Sequence, residues 1–170
     1  MRDMVLTMAL IVVPILLVLW LMPSNHPKSA VTPVSNSDYQ AMLTAARSQL
    51  PFTAMSPTDL PASWELTSDN YEPASDTAAD WHLGYQTAGG KYAEFEQTTE
   101  SVAQFLNDQH SDASAVGTVT VAGQQWQHYT GTTPGGLKTL LFRQDGKSLE
   151  VVAGSASLAE LETLAGSLQS

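Results

Sequence analysis

The sequence predicts an α+β domain, an antiparallel β-sheet of about seven strands with helices packed on it, preceded by one N-terminal transmembrane helix. Three observations predict it: an apolar run at residues 4–22, seven segments of period-two alternation set off by turn residues, and leucine-rich stripes at helical spacing.

The run MVLTMALIVVPILLVLWLM, Met4 to Met22, is interrupted only by Thr7 and carries no charge. At about 1.5 Å per residue it matches a hydrocarbon core of roughly 30 Å. A cleaved secretory signal has a shorter apolar core and a small-residue cleavage site. Here a cut after Ala30 puts Lys28 at the −3 position. A retained anchor in the lipid bilayer is therefore expected, and Pro14 within it is tolerated in membrane helices. Residues 1–3 form a short stub, read as cytoplasmic, and the long C-terminal part is read as extracytoplasmic at the cell membrane. Residues 23–37, PSNHPKSAVTPVSNS, have the Pro- and Ser-rich composition of a linker.

Residues 38–170 have the size of one domain. The chain has 17 acids, 7 bases and net charge −10. Arg2, Asp3 and Lys28 lie before the domain, which leaves 16 acids against 5 bases and a net charge of −11 there. That field repels phosphate backbones, so no nucleic acid partner is expected. The absence of cysteine excludes disulfide staples and thiolate metal sites.

Ser37-Asp38 opens a helix with Tyr39, Met42, Leu43, Ala46 and Leu50 on one stripe and Pro51 closing it. Pro57 and Pro61 then bar regular pairing until Trp64-Glu65-Leu66 enters the sheet. Residues 79–87 and 91–98 flank Ala88-Gly89-Gly90 and read as a hairpin. Trp81, Leu83 and Tyr85 share its buried face, and Asp80, His82 and Gly84 share a wet one. Thr99 caps a crossover helix carrying Val102, Phe105, Leu106 and Gln109. Four strands follow, at 117–121, 124–130, 137–143 and 148–153, the last pair joined by an Asp-Gly turn. A capping box, Ser157 with Glu160, starts a final helix with Leu158, Leu161, Leu164, Ala165 and Leu168 on one stripe. The expected packing puts the helices on one side of the sheet.

Several residues invite chemistry. Asp80-x-His82 and Trp126-x-His128 make a metal pair only if their strands are neighbours, and no HExxH or H-x3-H spacing supports one. Glu94 and Glu96 share a strand face but read as solvated carboxylates rather than a glycosidase pair. There is no G-x-S-x-G elbow, and Gly89-Gly90-Lys91 lacks the glycine spacing of a phosphate loop. No catalytic, metal or cofactor residue is assigned, and an enzyme is not expected. Trp64, Trp81, Tyr85, Trp126 and Tyr129 are the candidate lining of a ligand groove.

The opening MRDM directly before the apolar run, Leu60-Pro61-Ala62-Ser63-Trp64, the segment Gly117 to Gly123 (GTVTVAG) with Trp126 and Tyr129, and Leu161 to Leu168 (LETLAGSL) together resemble one family. The chain resembles an actinobacterial single-pass membrane protein family with a domain of unknown function, the 4245 group. The resemblance implies a cell-envelope protein with no assigned catalytic or cofactor residues. The expected role is a protein-interaction module with an envelope protein as its partner. The alternative is an apolar small-molecule or lipid-binding domain.

Overall fold

The computed structural model describes residues 33–74, 77–133 and 136–170. The expected stub, transmembrane helix and most of the linker lie outside the described residues. No helix among the described residues is long and apolar enough to cross a membrane.

Helix α1, Asn36–Gln49, starts at Ser35, whose hydroxyl accepts from the Asp38 amide at 3.2 Å. The expected stripe packs inward, with Leu43, Ala46 and Leu50 buried and Tyr39 and Met42 against them. A two-residue strand β1, Ser56–Pro57, follows. Next come β2, Glu65–Glu72, then β3, Asp80–Gln86, and β4, Tyr92–Thr98. Helix α2 covers Val102–Gln109, and β5, β6, β7 and β8 span Ser114–Val121, Gln124–Thr133, Gly136–Asp145 and Ser148–Gly154. Helix α3, Leu158–Ser167, runs into the short strand β9, Leu168–Gln169.

Seven strands form one antiparallel sheet in the order β2-β3-β4-β8-β7-β6-β5. Two meanders, β2-β3-β4 and β5-β6-β7-β8, meet where β4 pairs with β8. Helix α2 carries the chain from the middle of the sheet to its far edge, as its position between the two strand groups predicts. β1 pairs with β9 in a separate two-stranded ladder. Pro57 takes part in that ladder, contrary to the expectation that it bars pairing. A proline is tolerated on a strand that needs no donor on its free side.

The helices do not share one side. Leu43, Leu50, Leu161, Leu164, Trp81, Leu83, Phe95, Trp126, Leu141 and Val152 form one core under α1 and α3. Phe105 of α2 joins Leu140, Phe142, Leu149, Val151 and Ala153 in a second core on the opposite face. Every residue of β8 is buried, so this central strand needs cover on both faces, and α2 supplies the second. The cap of α2 is Ser101, not Thr99. Ser101 and Gln104 satisfy each other's backbone amides reciprocally, a closer fit to the capping-box spacing.

The main core closes around a few polar anchors. The Trp81 indole donates to the Met55 carbonyl at 2.8 Å, and the Gln97 side-chain oxygen accepts from the Met55 amide at 3.1 Å. Gly154, with φ +151°, lets β8 lie against β4, because a Cβ there would overlap the Tyr92 carbonyl group.

Candidate functional site

The face of the sheet that carries α2 holds a polar cluster beside the second core. Alternation along the β3–β4 hairpin sends Asp80, His82, Glu94 and Glu96 to this face. They are half-buried rather than solvated, because α2 ends beside them. Gln109, the last residue of that helix, donates to Glu96 Oε1 at 3.4 Å. Lys138 on β7 reaches Glu94 Oε1 at 2.7 Å and His110 Nε2 at 3.2 Å. Lysine has only protons to give, so His110 accepts through Nε2 as a neutral imidazole. Burial, then the Lys138 charge, push its pKa down.

Asp80 and Glu96 share a hydrogen bond that favours the ionised form of Asp80 and the protonated form of Glu96. Burial, followed by the charge of Asp80 and then of Glu94, pushes Glu96 up to about 8. Burial and the charges of Glu72 and Glu100 push Asp80 up to about 6, against the hydrogen bond from Glu96. The pair opens onto a cleft of about 280 Å³ walled by Glu72, Thr77, Thr98 and Gln109. Its chemistry is that of a proton store: one carboxyl stays protonated and donates to the other.

His82 sits against Tyr92 and Ser68, its Nε2 being 3.3 Å from the Tyr92 hydroxyl and 3.4 Å from Ser68 Oγ. Gly84 makes the arrangement fit, since a Cβ there would overlap both oxygens. Burial lowers the His82 pKa, with Glu94 opposing. Among the described residues no group of three or more His, Asp or Glu side chains is arranged to hold a metal ion. His82 and His128 do not pair: β4, β8 and β7 lie between their strands, and His128 lies opposite Leu141 of the main core, on the other face.

The main-core face carries a buried ion pair. Arg143 Nε donates to Glu150 Oε2 at 2.6 Å, and Glu150 is fully buried. The guanidinium also stacks 5.1 Å from the centroid of Trp126. Arg143, with Gln124, Gln125, Gln127 and Gln144, borders a second polar cleft of about 350 Å³.

The far edge of the sheet has a different character. β5 pairs with β6 alone among the described strands, so its outer backbone edge is unpaired in the sheet. No Asp, Glu, Lys or Arg occurs between Asp112 and Lys138, a stretch that contains all of β5 and β6. The opposite edge strand, β2, carries Glu65, Asp69 and Glu72, and the Val34 amide donates to its Leu66 carbonyl at 2.9 Å. One edge is guarded by charge, and the other is bare. Six of the eight residues of β5 are exposed, and Val116 at its bulge is 58% exposed.

A family model described as a protein of unknown function, DUF4245, matches residues 1–168. The chain belongs to this family. A comparison with curated proteins found no match. In this DUF4245 member, the segment Gly117–Gly123 that supports the resemblance forms the bare edge and its turn, and Leu161–Leu168 forms α3 and the start of β9.

Four of the five aromatic residues of the expected groove share the main core, and Tyr129 is separated from them. Trp81, Tyr85 and Trp126 are buried in the main core, and Trp64 packs against it, its ring centroid 6.4 Å from that of Tyr85. Tyr129 lies on the opposite face, edge-on to Phe142 at 5.3 Å. The polar cluster of this DUF4245 domain includes Lys138, His110 and Ser68, which carry no local signal. Strand register for Ser68 and Lys138, and the course of α2 for His110, place them beside Glu94 and His82, and both are outcomes of the whole fold.

Proposed function

We propose that this chain is a membrane-anchored, extracytoplasmic module of an actinobacterial cell envelope that works by protein contact. In this reading residues 4–22 span the bilayer once, the N-terminus is cytoplasmic, and residues 38–170 meet an envelope protein partner outside. The apolar run and the following Pro- and Ser-rich linker support the placement. One observation carries the function: the uncharged, exposed edge strand Ser114–Val121 in a domain of net charge −11. Proteins that avoid association place charge or proline on such edges, and strand addition is a recurring mode of protein recognition.

The competing reading, an apolar or lipid ligand, has less support. The aromatic side chains it relies on fill the core, and both clefts described above are walled chiefly by polar and charged groups. Neither cleft contributes a catalytic arrangement to the proposal, which assigns no enzymatic activity and no cofactor.

Photo-crosslinking in intact cells tests the reading. A photoreactive residue in place of Val116 is expected to capture a protein, and one in place of Asn70 on the guarded edge is not. Equal yields from the two edges, or no adduct from Val116, would contradict it.

A further inference from the structure

Resting on the reading of β5 as a contact edge, we infer that its occupant is β5 of a second copy of this chain, paired antiparallel about a two-fold axis to extend the sheet across both domains. The argument begins with charge. The strands β2, β3 and β4 carry six carboxylates, Glu65, Asp69, Glu72, Asp80, Glu94 and Glu96, and no Lys or Arg. The other end of the sheet, β6 and β5, carries neither sign.

Two copies of an acidic domain repel each other wherever their carboxylates come close. Neighbouring strands are about 4.8 Å apart, so joining two sheets through β5 separates one β4 from the other by nine spacings, roughly 43 Å. That is several times the ~8 Å screening length at physiological ionic strength. Joining them through β2 would set Glu65, Asp69 and Glu72 of one copy against the same residues of the next. The edge that accepts a second copy at least electrostatic cost is the one without charge. A basic partner would find no carboxylate on β5 itself to pair with.

The strand is also self-complementary. The bulge between Ala115 and Gly117 interrupts its first part, and Gly117 to Val121 runs in unbroken register with β6. A two-fold centred on Val119 sets Val119 opposite Val119, Thr118 opposite Thr120 and Gly117 opposite Val121. The Val119 and Thr118–Thr120 pairs are β-branched and favour strand pairing, and no like charges meet. Such an interface is isologous, the commonest arrangement among homo-oligomers.

The chain has no cysteine, which leaves a clear background for single-cysteine scanning. Cysteines placed one at a time at 117 to 121 in the full-length chain, in its native membranes, are oxidised and the adducts identified by mass. Disulfide-linked homodimer is expected to peak with Val119→Cys and to be absent with Asn70→Cys on β2. Adding Thr118→Lys to Val119→Cys places like charges beside the axis and is expected to reduce the dimer at least five-fold. Unfolding is excluded as the cause if the circular dichroism spectrum of the double variant is unchanged. Homodimer of equal yield at Asn70, or a Val119→Cys dimer insensitive to Thr118→Lys, overturns the inference. Adducts from β5 to a different protein overturn it too, while leaving β5 a contact edge. No adduct from any β5 position overturns both.

Discussion

Asp80 and Glu96 meet across the β3–β4 hairpin and share a hydrogen bond, with Gln109 of α2 donating to the same Glu96 carboxyl. A carboxyl whose pKa is higher folded than unfolded takes up protons on folding. Its contribution favours the fold at low pH and is lost as pH rises. For Glu96 that window runs from its ordinary 4.5 to about 8. The full chain in detergent is therefore expected to unfold more readily at pH 8 than at pH 5.5, by on the order of 2 kcal/mol. Glu96→Gln, neutral at every pH, is expected to flatten that slope. Denaturant midpoints at the two pH values measure it, and a slope unchanged by the substitution would contradict this assignment.

Arg143→Met is expected to destabilise the fold by about 3–5 kcal/mol, because it leaves the buried Glu150 carboxyl without its partner. Removing both charges in Arg143→Met with Glu150→Met is expected to recover most of that loss. Urea midpoints for the two variants test this, and a double variant as unstable as the single one would refute it.

Gly154→Ala is expected to cost about 1–3 kcal/mol, since the added methyl meets the Tyr92 carbonyl across the β4–β8 junction. Gly89→Ala, in the hairpin turn with 3.8 Å to the nearest side-chain atom, is expected to change stability by less than about 1 kcal/mol. Thermal midpoints compare them, and equal losses would show that the junction is looser than described.

Phe105→Ala is expected to cost about 3–5 kcal/mol by emptying the centre of the second core. An eight-residue helix is too short to persist without that packing. Amide exchange in Val102–Gln109 is accordingly expected to accelerate more than exchange in α1, and uniform acceleration would argue against a separately seated α2.

Much of the fold follows from local chemistry. Gly89-Gly90 between alternating aromatic segments marks the β3–β4 hairpin, and Ser157 with Glu160 marks the start of α3 to the residue. What sequence reading misses depends on distant partners. Full burial of β8 on both faces, which requires α2 opposite the other helices, is a property of its neighbours β4 and β7. Ser56–Pro57 pairs with Leu168–Gln169, more than a hundred residues away. Glu94 reads as solvated because the Lys138 that neutralises it lies three strands later in the chain, and the five aromatics read as a groove because alternation alone does not say which faces a helix will cover.

The contact role of β5 is tested most directly by amide hydrogen exchange along Ser114–Val121 in the full-length chain, compared between native membranes and dilute detergent. An edge strand paired with a partner has its outward amides protected in the membrane and exchanging freely on dilution, whereas those of the guarded β2 edge exchange alike in both. Equal exchange along β5 in the two settings would contradict the account.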